Sequence, residues 1–136
     1  MSGDTDLEEL ARIVIDCGFR LHCDLGPGLL ESAYEALIAA VLERRGIKVA
    51  RQVSMPLRHD GIVIDNAFKI DLLIENRLIV ELKSIERLGP VHGKQVLTYL
   101  RLANLPLGLL MNFGQATFKD GVRRIANDYY GTIPTR

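Results

Sequence analysis

Apolar residues recur at helical spacing near the start of the chain, where Leu7, Leu10, Val14, Cys17 and Leu21 share one face. Thr5-Asp6-Leu7-Glu8 reads as a capping box, with Thr5 as N-cap and Glu8 reaching back. The stripe stops before Leu25-Gly26-Pro27-Gly28, a turn by composition. A second stripe, Leu30, Tyr34, Leu37, Ile38 and Val41, predicts a helix over about 30–45, ended by Gly46. From Ile47 the pattern becomes that of a strand. Lys48 to Arg58 is extended, and Pro56 near its end suggests a sheet edge. Asp60-Gly61 supplies a hairpin turn, and the return strand from Ile62 runs on, with room for a bulge, into the next stretch. Pro90 opens a third helix, whose core face is Val96, Leu100 and Ala103, while His92, Gln95 and Tyr99 line its polar face. Leu107 to Phe113 is a nearly continuous apolar run, expected as a buried strand reached by a helical crossover and parallel to its neighbour. Asp120-Gly121 and Val122 to Ile125 suggest a small edge hairpin, and Tyr129 onward a frayed end.

The stretch from Asp65 to Ser84 organises the rest. It reads as two strands joined by a three-residue turn, Glu75-Asn76-Arg77. In that register Ile74 faces Leu78, Leu72 faces Val80, and Asp71 lies opposite Glu81. Phe68, Ile70, Leu72, Ile74, Leu78, Val80 and Leu82 then form an apolar face, and Lys69, Asp71, Leu73, Ile79, Glu81 and Lys83 the other. A two-residue loop would mix the faces.

The register has a chemical consequence. Opposed residues on neighbouring strands have Cβ atoms roughly 5 Å apart, so two carboxylates meet with an ammonium beside them. Such a pair repels unless positive charge lies between, and a hard divalent cation, Mg²⁺ first, suits oxygen ligands. Lys83 is then placed to hold an attacking water or to neutralise charge on a phosphate. A bare Glu-x-Lys on a strand is usually only a solvated face; the apolar opposite face and the three-charge cluster favour chemistry.

Composition narrows the picture. The 136 residues are 48% hydrophobic and 25% charged, the profile of one globular domain spanning 1–136, with its core over about 5–126 and a tail over 127–136. The 17 basic and 17 acidic residues cancel, which excludes a strongly basic, sequence-independent DNA binder. Cys17 and Cys23 match neither a zinc pattern nor a disulfide framework and read as free thiols. With no signal peptide and no membrane-spanning apolar run, a cytoplasmic location is expected.

The order helix, helix, three strands, helix, strand, with Asp71 and Glu81-Leu82-Lys83 in the middle strands, resembles the PD-(D/E)XK nuclease superfamily. Gly28-Leu29-Leu30-Glu31-Ser32-Ala33-Tyr34 fits the signature of the GxxExxY family, a prokaryotic branch of it, and further stretches of the chain follow in order. The resemblance implies an α/β (α+β) restriction-endonuclease-like core, a mixed sheet flanked by helices. It implies Asp71 and Glu81 as metal ligands, the Leu82 main-chain carbonyl as a further ligand, and Lys83 as catalytic lysine. Glu31 would be the helix carboxylate directed at the metal, with Glu35 its competitor, and His22 an additional metal-binding histidine. Gln95 and Tyr99 resemble a Gln-x-x-x-Tyr motif that lines a DNA-binding cleft. Lys69 stands where the family is expected to carry Arg, so a phosphate contact there loses the bidentate fork. Ile70 replaces the proline of the superfamily name. The activity implied is Mg²⁺- or Mn²⁺-dependent phosphodiester hydrolysis on nucleic acid, DNA foremost, without a membrane partner and with a homodimer compatible with the exposed edge strand. The competing reading is a nuclease fold used as a non-catalytic binding or assembly module in defence or repair.

Overall fold

The computed structural model describes residues 6–129. Helices α1 (Leu7–Leu25) and α2 (Glu31–Arg44) precede strands β1 (Val49–His59), β2 (Ile62–Ile74) and β3 (Leu78–Lys83). Helix α3 (Pro90–Ala103), strand β4 (Leu107–Asn112), a 3-10 turn at Lys119–Gly121 and strand β5 (Val122–Ala126) follow. The strands form one mixed sheet in the order β1-β2-β3-β4-β5. Only β3 and β4 run parallel, because α3 carries the chain back across the sheet between them. This is a restriction-endonuclease-like architecture, with the element order expected from the sequence.

One face of the sheet packs Leu72, Ile74, Val80, Leu82, Leu109 and Met111 against α1 and α2. The other packs Ile79 and Leu110 against Val96 and Leu100 of α3. The three-residue turn at Glu75–Arg77 and the pairs Leu72↔Val80, Leu73↔Ile79 and Ile74↔Leu78 follow the expected register. The seven-residue apolar face does not survive whole. Ile70 and Phe68 pack with the α3 cluster, whereas Leu72 packs with α1 and α2. Strict alternation therefore breaks at Asp71. Its pairing partner region explains why: Gln52 in β1 has φ +50 and takes no place in a ladder that pairs Arg51↔Leu72 and Val53↔Ile70. A residue turned into the left-handed region rotates the strand pair, so residues on either side of it face different layers.

Other boundaries shift for local reasons. Thr5 lies outside the described residues, and the N-cap of α1 is Asp6, whose Oδ1 accepts the Glu8 N–H at 2.9 Å. In α2 the inward stripe is Tyr34, Ile38 and Leu42, joined by Glu35 and Ala39; Leu30 is 76% exposed and Leu37 is also exposed. The expected stripe was thus centred too far toward Leu37. β1 is an edge strand, and Pro56 sits at a register shift where Met55 to Leu57 spans Phe68 to Ile64 of β2. Asp60 and Gly61 both take positive φ, the geometry of a tight hairpin turn. β5 pairs antiparallel with β4 at the other edge. Of the expected frayed end, Tyr129 packs on the α1-side core, with the Arg124 guanidinium 5.6 Å from its ring centre, and residues 130–136 lie outside the described residues.

Candidate active site

The β2–β3 ladder stops at Leu72↔Val80, and one residue further side chains replace the backbone. The Asp71 N–H donates to Glu81 Oε1 at 3.0 Å, and the Leu82 N–H donates to Asp71 Oδ2 at 2.9 Å. The two carboxylates are thereby interlocked across the strands, as the register requires. Glu81 is 4% exposed. Burial, then the Asp71 charge, pushes its carboxyl up to about 8, and the Lys83 ammonium opposes the rise. Tyr99 on α3 stacks on Phe68, with ring centres 4.5 Å apart. Burial and the Glu81 and Asp71 charges raise its hydroxyl's pKa, so the phenol lies within the field of both acids.

A cleft of about 320 Å³ opens beside Asp71, lined by Glu31, Ser32, Glu35, Gln52, Asp71 and Leu82. It shares Glu31 and Ser32 with a shelf of about 580 Å³ formed by residues 27–32 and Ser84. The Gly28-Glu31-Tyr34 signature builds this wall. Tyr34 is fully buried, stacks on Phe113 at 4.1 Å, donates its hydroxyl to the Gly26 carbonyl and accepts the Leu29 N–H at 3.2 Å. The loop so held is fastened to the exit of β3: Ser84 Oγ donates to the Leu29 carbonyl at 2.9 Å, and the Ser84 N–H to Glu31 Oε2 at 3.3 Å. Glu31 therefore stands on the cleft wall, engaged with backbone. Glu35 is the more buried of the two. Its Oε2 accepts Arg51 Nε at 3.0 Å, and its Oε1 accepts Gln52 Nε2 at 2.6 Å.

Not every expected residue joins this group. His22 lines a different pocket, with Phe19 and Cys23, where its Nε2 donates to the Gln115 carbonyl at 2.8 Å. Packed near Phe113 and Phe118, it is a hydrogen-bonded core histidine turned away from the carboxylates. Lys69 and Gln95 are exposed, the first two residues before Asp71 and the second one helical turn before Tyr99. His92 is used locally, its Nδ1 accepting the Gly89 N–H at the start of α3.

Sequence reasoning missed Gln52 and Arg51, and also Asn112. Asn112 is fully buried and joins the chain after β3 to the chain after β4, bonding Ile85 through both its N–H and its carbonyl. A polar residue ending the apolar run Leu107 to Met111 was its one signal. Gln52 had none, since glutamine carries no preference for positive φ.

Among the described residues, no three His, Cys, Asp or Glu side chains converge into a ready metal cage. The donors present nevertheless suit a hard dication. Asp71 lines the cleft and interlocks with the buried Glu81, whose carboxyl is driven toward protonation by burial and by the Asp71 charge.

This sheet with its interlocked acids defines a nuclease-type fold. The family model of the PD-(D/E)XK nuclease superfamily matches residues 8–125, and the chain belongs to that superfamily. A search of curated proteins returns no match. Among solved structures, the crystal structure of SSO0001 is similar, with a TM-score of 0.51 and 18% identity over 86% of this chain and 67% of that one; this likeness concerns the fold. No described helix is long and apolar enough to cross a membrane.

Proposed function

We propose that the protein is a divalent-metal-dependent phosphodiester hydrolase acting on DNA, in the GxxExxY branch of the superfamily. The observation that carries the reading is the Asp71–Glu81 interlock, which sets the half-buried Asp71 against the buried Glu81 across neighbouring strands. Asp71, Glu81 and the Leu82 carbonyl would hold Mg²⁺ or Mn²⁺, with water completing the shell. When bound, the ion supplies Lewis acidity toward the phosphate and lowers the pKa of water. The chain's own groups do the rest. Lys83, directly after Leu82, neutralises charge growing on the scissile phosphate. Tyr99, stacked on Phe68, holds the strand beside the acids, and Gln95 and Lys69 extend the contact outward. Glu31 fixes the loop that forms the opposite wall.

The test is cleavage of single-stranded and duplex DNA in Mg²⁺ and in Mn²⁺ by the wild type beside a Lys83→Ala twin. Cleavage by the first alone supports the reading, and equal cleavage by both removes it. One observation favours a non-catalytic nuclease-fold module instead: the helix carboxylates Glu31 and Glu35 are both engaged by protein donors. Calorimetry separates the two, since a module without a metal site shows no heat of binding at millimolar Mn²⁺.

A further inference from the structure

Gln52 holds a backbone conformation that its residue type disfavours. Its φ of +50 lies in the left-handed region, within a strand, with no glycine to relieve it. Such outliers persist where the surroundings over-determine them and often mark functional sites. Here the turned backbone delivers one side-chain amide to two carboxylates: Gln52 Nε2 lies 2.6 Å from Glu35 Oε1 and 3.2 Å from Asp71 Oδ1. Both acceptors are carboxylate oxygens, so the amide must present its NH₂ to them. The far end of the chain is fixed as well. Glu35 is buried and ion-paired to Arg51 at 3.0 Å.

The arrangement runs Arg51, Glu35, Gln52, Asp71, crossing from β1 to α2, back to β1 and on to β2. The rotation of a carboxylate about its last bond is broad and intrinsically poorly defined. Asp71 escapes this because each oxygen has its own donor, Leu82 N–H on Oδ2 and Gln52 on Oδ1. An oxygen with one donor keeps a lone pair for another ligand. We propose that Gln52 is a positioning residue that sets the plane of the Asp71 carboxylate for metal binding, its amide anchored through Glu35 to Arg51. The inference rests on the metal-dependent reading above and deepens it.

The test compares wild type, Gln52→Gly and Gln52→Asn by metal-free melting, Mn²⁺ calorimetry and DNA cleavage kinetics. Glycine relieves the positive φ but deletes the amide that Glu35 also accepts, two opposed effects, so Gln52→Gly melts close to the wild-type temperature. Its Mn²⁺ affinity and kcat fall about tenfold, in the range seen when groups that orient a ligand are removed, and KM for DNA stays near wild type. Asparagine tolerates the left-handed region and keeps an amide on a shorter stem, so Gln52→Asn recovers part of the loss. Wild-type metal affinity and turnover in Gln52→Gly would overturn the proposal. Losses that track a fall in melting temperature would also overturn it, marking a purely structural residue. An active wild type with indifferent variants removes this inference alone, whereas a wild type that neither binds Mn²⁺ nor cleaves removes the nuclease reading with it.

Discussion

At the scale of the residue, Glu81 is where the site's electrostatics can be read directly. Its carboxyl sits at about 8 in the folded chain and near 4.5 when exposed. Between those values the folded state holds a proton that the unfolded state releases. The stability that Glu81's protonation contributes to the metal-free chain is therefore fully present below pH 4.5 and is lost as pH rises to about 8. Chemical denaturation at pH 5 and pH 8.5 should show the drop, and Glu81→Gln should abolish most of it. Tyr34 offers a second single-residue test. Tyr34→Phe keeps the stack on Phe113 but removes the hydroxyl that bonds Gly26 and Leu29. A loss of about 1 kcal/mol is expected from the bonds given up, together with faster amide exchange at Leu29. A wild-type exchange rate there would show that the hydroxyl does not hold the loop.

At the scale of elements, the site depends on two chain segments pressed together beyond the sheet. A Cβ on Gly114, just after β4, would lie 2.1 Å from the Ile85 carbonyl oxygen, just after β3. Backbone cannot yield as a flexible side chain does, so Gly114→Ala must push the segments apart. Overpacking typically costs about 1–3 kcal/mol, and here it also shifts Ser84, which anchors Glu31 and the Leu29 loop. Thermal melting and cleavage should both decline, and a fully active, fully stable Gly114→Ala would refute this coupling. The β2–β3 hairpin was legible beforehand because strand period and turn length together permit one register with a clean core side. The break in that side at Asp71 was not legible. Ile70 and Phe68 cross to the α3 layer because Gln52 turns the neighbouring strand, and no local propensity announces that turn.

At the scale of the whole molecule, the proposed metal-dependent function makes metal binding and folding one equilibrium. An ion that binds only the folded chain stabilises it by about 2.7 kcal/mol at a concentration a hundredfold above its Kd. Because Glu81 must give up its proton to serve as a ligand, Mn²⁺ should raise the melting temperature more at pH 8 than at pH 6. Equal shifts at both pH values would mean that the ion binds elsewhere. Asp71→Asn, which lowers the charge of the donor pair, should shrink the shift at either pH.

What the sequence by itself determined is the set of features that are local or periodic. Helical and strand periods specified the elements and their order, the Glu75–Arg77 turn specified the register, and the register brought Asp71 to Glu81. The element order with Asp71 and residues 81–83 carried the resemblance to the superfamily that the family match then showed. Only the tertiary structure decided that Glu35 is buried against Arg51, that His22 serves the core, and that Gln52 reaches two acids. These outcomes depend on the angle at which α2 crosses β1 and on one strained φ. Both follow from packing between segments distant in the chain, which no window of neighbouring residues encodes.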